Sequence, residues 1–363
     1  MEMLKEGQVR IPSGCAIAAI YAKDAHLING REIIKSIAVM HERSNGLGGG
    51  FVGYGIYPDY AHAYAIHMFF DHQEAKLQFE TLIFKQFQIL KYEEIPTSAN
   101  QNIHDVPLIW RYFVLPLRKL DKNQEQTFIV DEMLKVNETI EGAYCFSMGQ
   151  NMGVFKGVGY PENIGEFFRL DTYEATCWIA HGRYPTNTPG WWGGAHPFSI
   201  LDVAVVHNGE ISSYDMNRRM IEMQGYKCTL QTDTEVIAYI IDDLTRQKHL
   251  TLKETAAIMT APFWEDIDQM APKERDYYTY LRKNFASYLI TGPFSILVGY
   301  QNGIMALNDR CKLRSMVIGE NKNTVYFASE ESAIRVLNVE IASLITPKAG
   351  EAVIYQREVN RNE

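Results

Sequence analysis

The chain has no excess of positive charge, no clustered cysteines and no long apolar run, and each absence removes a class of function. Its 363 residues carry a formal net charge of -9, which leaves no electrostatic footprint for nucleic acid or an anionic membrane. Five cysteines, Cys15, Cys145, Cys177, Cys228 and Cys311, form no C-x-x-C pair, so neither a disulfide framework nor a structural zinc site is expected and a reducing compartment is implied. The first residues lack a secretory apolar core. The longest apolar region, Phe285 to Tyr300, is broken by Gly292-Pro293 and is too short to span a bilayer. A soluble, cytoplasmic protein is expected. The remaining composition, 46% hydrophobic and 22% charged, suits one large globular domain or two ordinary ones.

Two regions carry chemistry. Between Ala180 and Glu210 the chain packs Arg183, Thr186, His181, His196, His207 and Asn208-Gly209 into loops flanking apolar runs. A guanidinium such as that of Arg183 offers a planar fork for a carboxylate. An Asn side-chain amide beside a Gly N–H offers two donors that could converge on a developing oxyanion, although Asn-Gly after Val203-Ala204-Val205-Val206 also reads as a hairpin turn. The three histidines follow no zinc-type spacing and are placed in loops around the substrate. At the other end, Gly14-Cys15 precedes the apolar run Ala16 to Ala22. Cleavage between Gly14 and Cys15 would give the thiol its own α-amino group, whose ordinary pKa of roughly 7.7 to 8.0 suits a general base. The other four cysteines lie in or beside expected core segments.

Periodicity gives a β-α-β start, with strands over Cys15–Ala22 and Gly50–Tyr57 and a helix over Gly30–His41. Gly48 to Gly53 satisfies GxGxxG, but with a helix before it and a strand after it the order is the reverse of a dinucleotide fingerprint. A segment of about 60–141, with strands over Ala61–Phe70 and Leu108–Leu117 and helices over His72–Leu90 and Gln124–Val136, reads as an inserted α/β lobe. Strands resume over Ala143–Met148, Gly153–Lys156, Thr176–Ala180, Val203–His207, Ser295–Tyr300, Gly303–Asn308, Ser315–Gly319 and Thr324–Ala328. Helices are expected over Tyr214–Gln224, Thr234–Arg246, Leu252–Ile258 and between Ala271 and Phe285. Thr232 and Glu235 have the spacing of a capping box, which puts Asp233 in a first helical turn where the helix dipole favours its ionised form. Trp191-Trp192, in a Gly-rich loop, reads as a water-excluding lid or an exposed aromatic interface. Periodicity alone specifies a mixed α and β domain.

Taken in order, Gly14-Cys15, His41-Glu42-Arg43-Ser44-Asn45-Gly46, His181-Gly182-Arg183-Tyr184-Pro185-Thr186-Asn187-Thr188, Ala195-His196-Pro197-Phe198, His207-Asn208-Gly209-Glu210 and Thr232-Asp233-Thr234-Glu235 resemble the class II, N-terminal-nucleophile glutamine amidotransferases. Their form is most similar to the glutaminase domain of glutamate synthase. The closing segments Gly292-Pro293-Phe294-Ser295, Asp309-Arg310 and Ala328-Ser329-Glu330 continue the likeness, which covers nearly the whole chain. The resemblance implies an α+β fold, a four-layer αββα sandwich, with a propeptide at 1–14, the amidotransferase domain at 15–355 and a tail at 356–363. It implies Cys15 as nucleophile and Asn208 and Gly209 as oxyanion donors. Arg183 would clamp the α-carboxylate and Asp233 the α-ammonium of glutamine, Tyr184, Thr186 and Asn187 would shape the pocket, and Arg43 would brace it. No cofactor or metal is expected in this chain. Ammonia would pass to a separate synthase subunit of the glutamate synthase type, with FMN and iron–sulfur clusters expected there. A subunit of N-methylglutamate synthase and a non-catalytic glutamine-sensing module stay open as alternatives.

Overall fold

The structure, a computed structural model, describes residues 14–185, 190–337 and 339–358. The expected strand after Cys15 forms as Ala16–Ala22, buried along its whole length. It lies inside a seven-stranded sheet whose spatial order is Ser343–Ile345, Val317–Glu320, Thr324–Ala328, Ala16–Ala22, Cys177–Gly182, Gly49–Tyr54, Met152–Gly157. A five-stranded sheet packs against it, in the order Phe198–Ile200, Val203–Gly209, Phe294–Tyr300, Gly303–Asn308, Ala352–Gln356. Both are antiparallel.

The two-residue side-chain period builds the layers. Ala204, Val206 and Leu297 join Ile179 in one apolar core, whereas Val205, Ile296 and Val298 join Val236 and Ile240 in another. Helices Gly30–Ala38, Pro161–Phe167 and Ser332–Arg335 pack on the seven-stranded sheet, and Asp233–Asp242 and Leu252–Met259 pack on the five-stranded one. The order helix, sheet, sheet, helix is the αββα sandwich expected.

Residues 64–150 add a four-stranded sheet, ordered Phe87–Glu94, Leu108–Pro116, Tyr64–Phe70, Ala143–Gln150. Helices Gln73–Gln86 and Lys122–Thr139 supply Phe79, Ile83, Ile129 and Met133 to the core that holds its Ile66, Met68 and Phe70, while Ala65, Phe69, Phe113 and Phe146 belong to the other core. Two local readings change. The helix begun at Gln73 stops at Gln86, and Phe87–Glu94 turns back as an edge strand along Leu108–Pro116. Cys311, expected near the core, is exposed.

Candidate functional site

Cys15 sits directly before its strand, between neighbours contributed by Cys177–Gly182 and Thr324–Ala328. The Tyr184 N–H donates to Cys15 Sγ at 3.3 Å. Arg43 Nε donates to the Cys15 carbonyl at 3.3 Å, and its Nη1 reaches Glu330 Oε1 at 2.9 Å. Burial pushes the thiol above its usual range and Asp233 adds to this; the Tyr184 N–H and the charges of Arg183 and Arg314 pull the other way without overcoming it. In the uncleaved chain Cys15 is therefore a protonated thiol at neutral pH.

The thiol opens into a cavity of about 230 Å³ whose wall includes Arg183, Tyr184, Gly209, Tyr214, Gln231 and Asp233. The loop after Arg43 holds the Arg183 backbone, with Ser44 Oγ donating to the Arg183 carbonyl at 3.0 Å and the Arg183 N–H donating to Gly48 O at 2.8 Å. Of GxGxxG only Gly48 lies in the turn that holds Arg183, and Gly49 to Gly53 are part of the Gly49–Tyr54 strand.

Asp233 opens the helix Asp233–Asp242, capped by Thr232 Oγ1 accepting from the Glu235 N–H at 3.2 Å. Only half of the expected capping box forms, because the buried Glu235 carboxylate accepts from the Leu230 N–H and the Tyr239 hydroxyl instead. Burial alone would raise the Asp233 pKa. The adjacent His207 and hydrogen bonds from His207, the Ile211 N–H and Thr234 outweigh it and hold the carboxyl below its ordinary range. The cavity thus sets a guanidinium and a carboxylate on the wall around one thiol.

Asn208 and Gly209 end the strand Val203–Gly209, paired with Ser295 and Phe294, rather than forming a two-residue turn. Gly209 has φ +147°, and a Cβ there would come within 2.0 Å of Pro293 O, so backbone crowding as well as conformation requires glycine. Asn208 is completely buried and its Nδ2 donates to Ser329 Oγ at 3.3 Å; the same oxygen accepts from the Ile17 N–H at 3.2 Å. An amide NH2 has two hydrogens, so a second donor remains beyond the bond to Ser329.

The three histidines form a buried cluster in which His196 keeps its loop position while His181 and His207 lie in strands, and His196 and His207 line the Cys15 cavity. His181 stacks on His196 with ring centroids 4.1 Å apart and donates from Nε2 to His207 O at 2.9 Å. His196 Nε2 and His207 Nδ1 lie 2.6 and 3.2 Å from Thr234 Oγ1. Burial lowers the His181 pKa to about 3 and drives that of His196 well down, so these two rings are neutral. Ser329, Thr234, Arg314 and Glu330 are neighbours of the site that fall within or beside the family-like segments but to which the sequence assigned no role, since an isolated hydroxyl or ion-pair partner has no spacing signature. Thr186 and Asn187 lie outside the described residues. Trp192 is buried against Phe69 and Phe167, and Trp191 is half-buried against Tyr144, so neither ring stands exposed in the loop. Among the described residues no group of three or more His, Cys, Asp or Glu could hold a metal, and no helix is long and apolar enough to cross a membrane.

The family model for class-II glutamine amidotransferases matches residues 55–356. The chain belongs to that family. It is 44% identical to an uncharacterized protein of Archaeoglobus fulgidus over 96% of this chain and 94% of that one. It is 26% identical to an amidophosphoribosyltransferase of Methanocaldococcus jannaschii over 61% of this chain, but spans only 44% of that protein's length. Among solved structures it resembles a glutamine phosphoribosylpyrophosphate amidotransferase from B. subtilis, with TM-score 0.49 and 16% identity over 94% of this chain and 47% of that one.

Proposed function

We propose that this chain is a glutaminase module that hydrolyses L-glutamine through a Cys15 thioester and hands ammonia to a separate synthase subunit. The single observation that carries the reading is the placement of the Cys15 thiol on one cavity wall with the Arg183 guanidinium and the ionised Asp233. That combination suits a free amino acid, whose α-carboxylate and α-ammonium need opposite charges.

Removal of residues 1–14 would expose the α-amine of Cys15. The amine takes the thiol proton, sulfur attacks the side-chain amide carbon of glutamine, and the Asn208 amide and Gly209 N–H stabilise the oxyanion. Collapse breaks the C–N bond, with the amine returning the proton to the departing ammonia. Water then adds to the thioester carbonyl, breaks the C–S bond and leaves glutamate and the free thiol. The high pKa of the buried thiol in the uncleaved chain supports a need for that amine. Tyr184 shapes the pocket and Arg43 braces Cys15.

The ammonia acceptor is proposed from the likeness of the 181–188 loop to that of glutamate synthase. Its synthase subunit would hold FMN and iron–sulfur clusters and aminate 2-oxoglutarate, with the lobe of about 60–141 as the docking surface. The test is the intact mass of the purified protein before and after a diazo-ketone glutamine analogue, with Cys15→Ala as control. The expected result is a chain beginning at Cys15 that gains one adduct, absent in the variant. A chain that begins at Cys15 and takes no adduct, with glutamine left unhydrolysed, sinks the reading.

A further inference from the structure

A second cavity, of about 540 Å³, opens where the four-stranded sheet meets the Gly190–Gly194 loop. Its wall carries the rings of Phe69, Tyr144, Trp191 and Trp192 and the carboxylates of Asp71 and Asp105. The rings form corners: Tyr144 meets Trp191 edge-on at 5.4 Å and 72°, and Trp192 meets Phe69 at 5.5 Å and 81°. Trp191 is held in place because a Cβ at Gly193 or Gly194 would come within 2.3 Å of its indole, so the loop can close on the ring only with glycine at both positions. Asp105 is fixed by a left-handed backbone, φ 50°, a conformation that Asp adopts more readily than most residues. Asp71 accepts only a long bond from the Tyr144 hydroxyl, at 3.4 Å. Among the described residues no Lys, Arg or His nitrogen makes an ion pair with either carboxylate. Lys156, which donates to Gly193 O at 3.0 Å, does not line the cavity.

Aromatic faces carry negative quadrupole density and attract cations, more strongly where water is excluded. Two carboxylates on the same wall add the charge and repel anions. The volume lies in the range of small-molecule sites, and although His104 shares the wall with the two carboxylates, no three such groups among the described residues come together to hold a metal, so the wall falls short of the six to eight oxygens that a calcium ion takes. We propose that this cavity binds an organic cation, an alkylammonium or guanidinium group. The group can belong to a free amine or to a lysine or arginine side chain of a partner. This site is separate from the Cys15 cavity, and its occupancy does not depend on the glutaminase reading.

The test follows tryptophan fluorescence at pH 8, above the ordinary histidine range. The full chain is titrated with n-butylammonium and n-butylguanidinium, with 1-butanol as the neutral isostere, and with blocked lysine and arginine amides. The expected result is a saturable change with the cations only, weakened at least about tenfold in Asp71→Asn/Asp105→Asn. Tighter binding of the blocked amides than of the butyl probes would assign the site to a partner's side chain; the reverse would assign it to a free amine. Equal responses to 1-butanol, no saturation with any cation, or unchanged affinity in the folded double variant would overturn the proposal. Trp191→Phe, which keeps the ring and the charges but alters the signal, separates a lost reporter from a lost site when binding is read by calorimetry.

Discussion

The Ser329 hydroxyl is the least conspicuous residue of the site and among the most consequential. It accepts from Ile17, two residues after the proposed nucleophile, and from Asn208, the proposed oxyanion donor. One oxygen therefore sets the distance between the two. Asn208→Ala is expected to lower kcat for glutamine hydrolysis by about 10²- to 10³-fold. Ser329→Ala is expected to lower kcat by about tenfold or more with KM little changed, and to cost about 1–3 kcal/mol of stability because a buried N–H loses its partner. Steady-state kinetics and urea unfolding on the same preparations check both; a pure stability effect with unaltered kcat would show that Ser329 positions nothing. Cys15, Arg183 and Asp233 were legible because charge, nucleophile and helix start each leave a pattern in sequence. Ser329 and Thr234 lie in family-like segments, but their roles were not legible, since their partners lie more than a hundred residues away or belong to residues whose burial only the fold reveals.

Strands and helices show where periodicity is informative and where it fails. Val203–Gly209 alternates between two cores and reads correctly as a strand. Phe87–Leu90, the first half of the strand Phe87–Glu94, reads as the end of the preceding helix because Ile83, Phe87 and Leu90 also satisfy helical spacing, and only pairing with Leu108–Pro116 separates them. The capping box failed in the same way: Thr232 caps its helix, but a tertiary partner, the Leu230 N–H, takes the Glu235 carboxylate. Within the strand Tyr64–Phe70, His67 is fully buried, with Nδ1 2.9 Å from Val154 O and Nε2 3.0 Å from the Tyr57 hydroxyl. Burial lowers its pKa to about 3, as it does for His181. Both imidazoles are neutral when folded, whereas the unfolded chain binds their protons below about pH 6.5. The stability they confer is complete above that value and is lost as pH falls toward 3, at up to about 1.4 kcal/mol per pH unit for each ring. Urea unfolding at pH 7, 6, 5 and 4 should show this decline, and His67→Asn should make it shallower; an unchanged slope would mean that His67 is protonated in the fold.

At the scale of the whole molecule, motif order gave the family and the layered class of fold, but not which strand enters which sheet. Buried strands such as Ala16–Ala22 and Phe294–Tyr300 have the same apolar character although they lie in different sheets. The assignment comes from long-range pairing, as of Ala18 with both Ala180 and Ala328. A chain ending at residue 316 lacks the Thr324–Ala328 neighbour and Ser329, and is expected to lose cooperative unfolding by circular dichroism; a retained native transition would refute this. The Ala16–Ala22 strand, made well before Thr324–Ala328, has to wait for that strand before its place in the sheet is filled. The cavity proposed to split glutamine is thereby tied to a segment made long after its thiol. A translation product interrupted before Thr324 carries the thiol without the Ser329 hydroxyl that joins Ile17 to Asn208, and on the proposed function is expected to leave glutamine intact.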